Sequence, residues 1–147
     1  MLQETYSIQD CILYDSNEYY SQQSLDISLP SAFKITWDSN RKASVNSNCI
    51  LYVGTDTNNY VQCGTYGSGG NNGIQERING NWQTAQRTTD APLNTLQSNT
   101  LTYSNGTLSY SNGSQTVSLT PTVSLAKLFT IYGNTNGLVT NIKVKPL

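Results

Sequence analysis

Two Asn-Gly dipeptides separated by five residues, Asn105-Gly106 and Asn112-Gly113, constrain the fold of this chain more than any other feature. Asn-Gly supplies the two consecutive positive φ angles that a two-residue type I′ hairpin turn requires. Two such turns predict a three-stranded antiparallel meander in which Leu108 faces Tyr103 on one side and Val117 on the other. Side chains alternate with period two, so one face is buried and the other is wet. The predicted buried face comprises Leu101, Tyr103, Leu108, Tyr110, Val117 and Leu119.

Further short strands are predicted at intervals of about ten residues. Residues 33–37 alternate with Phe33, Ile35 and Trp37 inward, so Trp37 is expected in the core, and residues 73–78 turn through Asn79-Gly80 into a third hairpin. Residues 123–132 are apolar enough for a strand with a bulge, and residues 138–146 form a closing strand. No helix is predicted. The pattern favours an all-β, two-sheet antiparallel β-sandwich, with residues 1–147 as a single domain.

Composition excludes several partners. Charged residues make up 12% of the chain and the net charge is −1, so neither a nucleic-acid-binding stripe nor a basic membrane patch is available. Asn, Ser and Thr account for 52 of 147 residues, but ten Tyr and two Trp argue against disorder. No segment is apolar enough to span a membrane, and residues 1–5 do not begin a signal peptide. An extracellular protein of this kind would reach its place by assembly into a particle or by lysis, unless the chain is a module of a larger protein.

The three cysteines lie in apolar strands. A hairpin centred near Asp56 would place Cys49 opposite Cys63 and Tyr52 opposite Tyr60. Two interpretations follow for the facing cysteines, namely buried thiols that act as small hydrophobes or a cross-strand disulfide. Cys11, in the apolar segment 11–14, is expected to be buried too.

The order of these motifs resembles a known family. A Phe-Lys-Ile-Thr-Trp-Asp strand precedes Leu-Tyr-Val-Gly, Asn-Gly-Asn-Trp, the Asn-Gly meander and a Val-Thr-Asn-Ile-Lys-Val strand. Over residues 27–146 this is similar to the concanavalin A-like, laminin G-like jelly roll, in particular to carbohydrate-binding modules of phage tail and baseplate proteins. The resemblance implies binding to a host cell-surface polysaccharide, in some members with calcium, although hydrolases also use this fold. Residues 56–59 offer only one carboxylate, which makes a poor calcium site, so no cofactor is expected.

Catalysis is not predicted. The chain has no histidine, which removes Ser-His-Asp and Cys-His chemistry and histidine-ligated metals. The nine acidic residues are scattered, and none matches the Glu-x-Asp-x-x-Glu strand of the glucanases that share this fold. Glu76 alone lies well inside a predicted strand, on the apolar face of Ile74 and Ile78. This face is then either the ligand surface, or a bulge turns Glu76 outward.

Sugar binding needs aromatic faces and planar polar groups. The third hairpin places Arg77 opposite Trp82, with Gln75 opposite Thr84, on one side. Arg77 and Trp82 could instead form only a stabilising cation–π contact. The glycine-rich segment 66–73 is predicted to be a flexible rim loop. The candidate ligand-binding residues are Trp82, Arg77, Gln75, Tyr52, Tyr60, Gln62, Tyr66, Asn72 and Glu76.

Two functions from different classes remain open. The first is a non-catalytic carbohydrate-binding module of a virion tail or baseplate, which attaches a multivalent assembly to a bacterial surface polysaccharide. The second is a structural or protein-binding domain of the same fold in a viral particle. For Tyr52 and Tyr60, a cross-strand aromatic pair is the alternative to sugar stacking.

Overall fold

Two antiparallel sheets make up the described part of this chain. The computed structural model describes residues 6–8, 21–44, 47–66, 68–133 and 137–147. In chain order the strands are β1 (Tyr6–Ile8), β2 (Ser21–Ser28), β3 (Phe33–Arg41), β4 (Cys49–Asp56), β5 (Asn59–Tyr66), β6 (Asn71–Ile78), β7 (Asn81–Trp82), β8 (Gln86–Arg87), β9 (Leu96–Ser104), β10 (Thr107–Ser111), β11 (Thr116–Leu119), β12 (Lys127–Gly133) and β13 (Gly137–Pro146).

The six-stranded sheet has the order β1-β13-β3-β9-β10-β11. The seven-stranded sheet has the order β2-β12-β4-β5-β6-β7, with β8 paired to β6. The two inner faces pack on each other as a β-sandwich, which confirms the predicted fold class. The predicted segment 11–14, with Cys11, lies outside the described residues. The described chain contains no helix beyond a 3₁₀ turn over Ser68–Gly70, and none long and apolar enough to cross a membrane.

Strict alternation builds the core. Phe33, Ile35 and Trp37 are buried between the sheets, as predicted, and so are Ile142 and Val144 of β13. The same period buries residues from five further strands in one cluster. They are Leu51, Val53, Val61, Cys63, Ile74, Leu101, Leu108, Tyr110, Leu128 and Ile131.

The two Asn-Gly turns of the meander differ. At Asn105-Gly106 both φ angles are positive and Leu108 pairs with Tyr103, as predicted. At Asn112 the prediction of a two-residue turn is wrong, because the Asn112 Oδ1 accepts hydrogen bonds from the backbone N–H groups of residues 114 and 115. The loop is therefore longer, and Leu108 pairs with Leu119 instead of Val117. The register moves by two residues, so every side chain keeps its predicted face.

The β4–β5 hairpin shows a similar shift. Its turn lies at residues 57–58, and a bulge follows Gly54, so Cys49 pairs with Thr65 and Leu51 with Cys63. The predicted Cys49–Cys63 and Tyr52–Tyr60 pairings are wrong by two residues. Both described cysteines are free, buried thiols, which settles the alternative in favour of small hydrophobes.

Irregularities in two other strands have clear causes. The strand in the predicted segment 123–132 begins only at Lys127, which pairs with Ser28 and Gly54 at the strand end, so this lysine breaks no alternation. The predicted bulge is present, at Phe129. In β13 a second bulge at residues 141–142 lets both Val139 and Ile142 point inward.

Burial of acidic groups predicts a loss of stability at alkaline pH. Burial raises the pKa of the Cys49 thiol from 9.0 to about 12, and also raises the pKa of Cys63 and Tyr110. In the unfolded chain these groups ionise at lower pH, so above about pH 9 the unfolded state binds fewer protons than the folded state. The stabilisation is complete below the unfolded pKa values. Above them it falls by about 1.4 kcal/mol per pH unit for each group ionised only in the unfolded state.

Urea unfolding at about pH 8 and pH 10 measures this loss. A free energy of unfolding that stays constant across this interval would contradict the burial of these thiols.

Candidate functional site

The β6–β7 hairpin forms as predicted on the outer face of the seven-stranded sheet. Asn79 and Gly80 both have positive φ, and the turn pairs Arg77 with Trp82. The Arg77 Cζ lies 5.3 Å from the centroid of the Trp82 ring, and Trp82 is 44% exposed. The Gly80 N–H donates to the Asn58 carbonyl at 2.9 Å, so the turns of the two neighbouring hairpins are tied together. Trp82 is thus an exposed aromatic side chain on a fixed hairpin.

Behind Trp82 lies a continuous aromatic patch. The Tyr60 and Trp82 ring centroids are 5.7 Å apart at an interplanar angle of 80°. Tyr60 also stacks on Tyr52 at 4.4 Å, and Tyr132 stacks on the far side of the group at 6.4 Å from Tyr52. Phe129 contacts both Tyr52 and Tyr60 edge-on, at 5.9 and 5.7 Å. We call Tyr52, Tyr60, Trp82, Phe129 and Tyr132 the aromatic patch.

Tyr60 supports this patch from within. Its cross-strand partner is Gly54, where a Cβ would lie 2.5 Å from the Tyr60 Cα, so the backbones approach closely there. The Tyr60 ring reaches Tyr52 diagonally rather than directly across the strands. Tyr60 is only 3% exposed, so it holds Trp82 in place and offers little surface to a ligand. Burial, together with the Tyr60 hydroxyl, raises the pKa of Tyr52, which therefore stays neutral at physiological pH.

An amide chain runs beside the patch. The Gln62 Nε2 donates to the Gln75 Oε1 at 3.2 Å, and the Gln75 Nε2 donates to the Gln83 carbonyl at 2.8 Å. The predicted pairing of Gln75 with Thr84 is wrong, because β7 ends at Trp82 and β6 pairs next with β8. Arg77, by its Nη1, donates to the Thr57 carbonyl at 3.3 Å. The outer face thus combines planar amide and guanidinium groups with aromatic rings.

Glu76 lies on the opposite face of β6. It is buried between the sheets, and its Oε2 accepts hydrogen bonds from the backbone N–H groups of Thr122 (2.6 Å) and Val123 (2.8 Å). No bulge turns it outward, and the apolar face that carries it is the core. Glu76 therefore anchors the segment that precedes β12, and we remove it from the candidate site.

Asn72 also faces inward, within a buried polar network. Its Oδ1 accepts hydrogen bonds from Thr65 Oγ1 and the Tyr110 hydroxyl, both at 3.0 Å, and from Gln97 Nε2 at 3.3 Å. Its Nδ2 donates to Thr88 Oγ1 at 2.8 Å. With every polar atom engaged away from solvent, Asn72 cannot be a rim residue as predicted.

Tyr66 occupies the other end of the outer face, away from Trp82. It pairs with Asn71, and the Arg87 Cζ lies 6.0 Å from its ring. Only residues 67–70 separate β5 from β6, so the prediction of a flexible loop over residues 66–73 is wrong. Gly70 packs on Arg41, where a Cβ would lie 2.5 Å from a guanidinium nitrogen.

The structure thus brings six of the nine predicted residues together and adds two. Trp82, Arg77, Gln75, Gln62, Tyr60 and Tyr52 share one surface. Phe129 and Tyr132 were missed because β12 lies beside β4 although many residues separate the two strands in the sequence. The described residues contain no group of three His, Cys, Asp or Glu side chains that could hold a metal ion. In the residue 56–59 loop, the Asp56 Oδ1 accepts hydrogen bonds from Asn58 N and Asn59 Nδ2.

Comparison with solved structures identifies the fold type. No family model matches the sequence, and no curated protein matches it either. Chicken galectin 2 superposes with a TM-score of 0.63 at 12% identity, covering 86% of this chain and 98% of that chain. A toad ovary galectin in complex with thio-digalactose gives 0.66 at 10% identity (84% and 97% covered), and Xenopus laevis galectin-Ib gives 0.61 at 14% (83% and 99% covered).

At these identities the likeness shows the fold alone. The chain has the jelly-roll β-sandwich of the galectins, within the concanavalin A-like class that the sequence resembles. The matched structures are animal lectins, and they lend no support to a phage tail setting.

Proposed function

We propose that this chain is a non-catalytic carbohydrate-binding module that holds a neutral sugar on the outer face of its seven-stranded sheet, against Trp82. The observation that carries the proposal is the 44% exposure of Trp82. Its indole is the exposed member of an aromatic patch whose other contacts hold it in place. A large aromatic side chain left open on a fixed hairpin suits the apolar face of a pyranose ring.

Polar groups beside Trp82 supply the specificity. Gln75 and Gln62 carry planar amides and Arg77 a guanidinium, and such groups can bond two neighbouring sugar hydroxyls at once. Arg77 is the one charged side chain among them, which favours an uncharged ligand. Galactosides are the first ligands to test, because the toad ovary galectin of the same fold was solved with thio-digalactose.

The biological setting is a finer proposal. We propose that residues 1–147 act as one domain, in many copies and outside the cell, on a bacterial surface polysaccharide. The phage tail or baseplate setting rests on the sequence resemblance alone. Many copies would compensate for the weak affinity expected of one shallow site.

Trp82→Ala should abolish sugar binding without unfolding the chain, because it removes the stacking surface and only an edge contact from Tyr60. The measurement is binding of the wild type and the variant to immobilised galactosides and bacterial surface polysaccharides. Leu96→Ala is the matched control, since Leu96 is an exposed apolar residue of the other sheet.

Loss of binding in Trp82→Ala but not in Leu96→Ala is the expected result. If the wild type, displayed in many copies, binds none of these sugars, the glycan proposal fails. A change in self-assembly of Trp82→Ala in place of sugar binding would point to the structural alternative.

A further inference from the structure

The outer face of the six-stranded sheet differs in chemistry from the aromatic patch. Its described side chains are hydroxyls, one carboxylate and lysines, with cross-strand neighbours that run from β13 through β3, β9 and β10 to β11. One such row comprises Lys145, Lys34, Thr102, Ser109 and Ser118, and the next comprises Lys143, Thr36, Thr100, Ser111 and Thr116. Cations thus collect at the β13–β3 end of a face rich in hydrogen-bond donors.

Three of the eight basic residues of the chain lie together there. Lys34 is the direct cross-strand partner of Lys145, and Lys143 is the partner of Thr36. These four side chains line a shallow depression of about 200 Å³, which we call the lysine depression. Like charges directly opposite on neighbouring strands repel each other. The chain therefore keeps a locally repulsive arrangement although its net charge is −1.

No described carboxylate neutralises the lysine depression. The ion pair found within the described residues joins Lys127 to Asp26, in the other sheet. Asp38 is two positions beyond Thr36 on the same face, and it accepts hydrogen bonds from Ser98 Oγ (3.3 Å) and Asn141 Nδ2 (3.2 Å). The positive charge of the three lysines is thus available to a ligand.

We propose that the lysine depression binds the sulfate or phosphate esters of an anionic polysaccharide. Lysine ammonium groups act as point charges for such oxyanions, and the Thr36 hydroxyl can donate a further hydrogen bond. The described side chains of this face include no aromatic ring on which a nucleic-acid base could stack, which favours a glycan over RNA. Since the depression and Trp82 lie on opposite sheets, this site is independent of the proposed neutral-sugar site.

The test is retention of the full chain on three immobilised polymers, namely dextran sulfate, a glycerol phosphate polymer and polyuridine RNA. Lys34→Gln/Lys145→Gln removes two charges from the depression, and both residues point to solvent in strands. Lys42→Gln/Lys127→Gln removes the same net charge elsewhere and is the matched control. Trp82→Ala keeps the depression intact and separates the two proposals.

We expect the wild type, the Lys42→Gln/Lys127→Gln control and Trp82→Ala to be retained at low salt, and Lys34→Gln/Lys145→Gln to elute in the loading buffer. Retention on dextran sulfate alone would identify sulfate esters, and retention on the glycerol phosphate polymer alone would identify phosphodiesters. Retention on neither of them, retention on RNA alone, or equal losses in both double variants would overturn the proposal.

Discussion

Replacement of Glu76 by alanine is expected to lower the free energy of unfolding by about 3 kcal/mol. The Glu76 carboxylate is buried and accepts two short hydrogen bonds from the backbone N–H groups of Thr122 and Val123. Hydrogen bonds to a charged group contribute about 1.5–3 kcal/mol each, and their loss also leaves two N–H groups without an acceptor. Urea unfolding followed by circular dichroism measures the change.

Glu76→Gln is the informative control. The amide oxygen can still accept from both N–H groups without the charge, so this variant should lose less than half as much stability as Glu76→Ala. If Glu76→Ala keeps the stability of the wild type but loses sugar binding, then Glu76 is a ligand contact and its structural role is refuted.

Asn72→Ala should destabilise the chain by a similar amount, about 3 kcal/mol. Asn72 is fully buried and hydrogen-bonds Thr65, Thr88 and Tyr110. A buried polar group left without its partner costs about 1–3 kcal/mol, and this substitution strands several at once. The midpoint of thermal unfolding should fall accordingly.

The neighbouring residue provides the comparison. Asn71 lies on the outer face and is half-buried, so Asn71→Ala should change the stability little. Equal effects of Asn71→Ala and Asn72→Ala would contradict the buried network between the sheets.

The turns show how far local sequence determines this fold. Asn79-Gly80 and Asn105-Gly106 form the predicted two-residue turns, because no nearby group competes for their backbone. At Asn112 the side chain itself bonds the following backbone and lengthens the loop, which no dipeptide rule describes. Since such shifts come in steps of two, the predicted faces survive where the predicted partners do not.

Alternation placed Glu76 and Asn72 correctly on the face of Ile74, but it could not say what that face meets. The backbone partners of Glu76 lie 46 and 47 residues further along the chain, at Thr122 and Val123. The same limit hid Phe129 and Tyr132, which reach the aromatic patch only because β12 pairs with β4. Local pairs such as Arg77 and Trp82 were predictable because a single turn sets them.

The most direct test of the account uses the two tryptophans of the chain. Trp37 is 1% exposed in the core, and Trp82 is open on the outer face. In a nitrogen-15 NMR titration with thio-digalactose and a panel of neutral sugars, we expect the Trp82 indole N–H signal to move saturably. The Trp37 signal should stay in place. Saturable sugar binding that leaves the Trp82 signal unmoved, or no response to any sugar of the panel, would contradict a binding site at the aromatic patch.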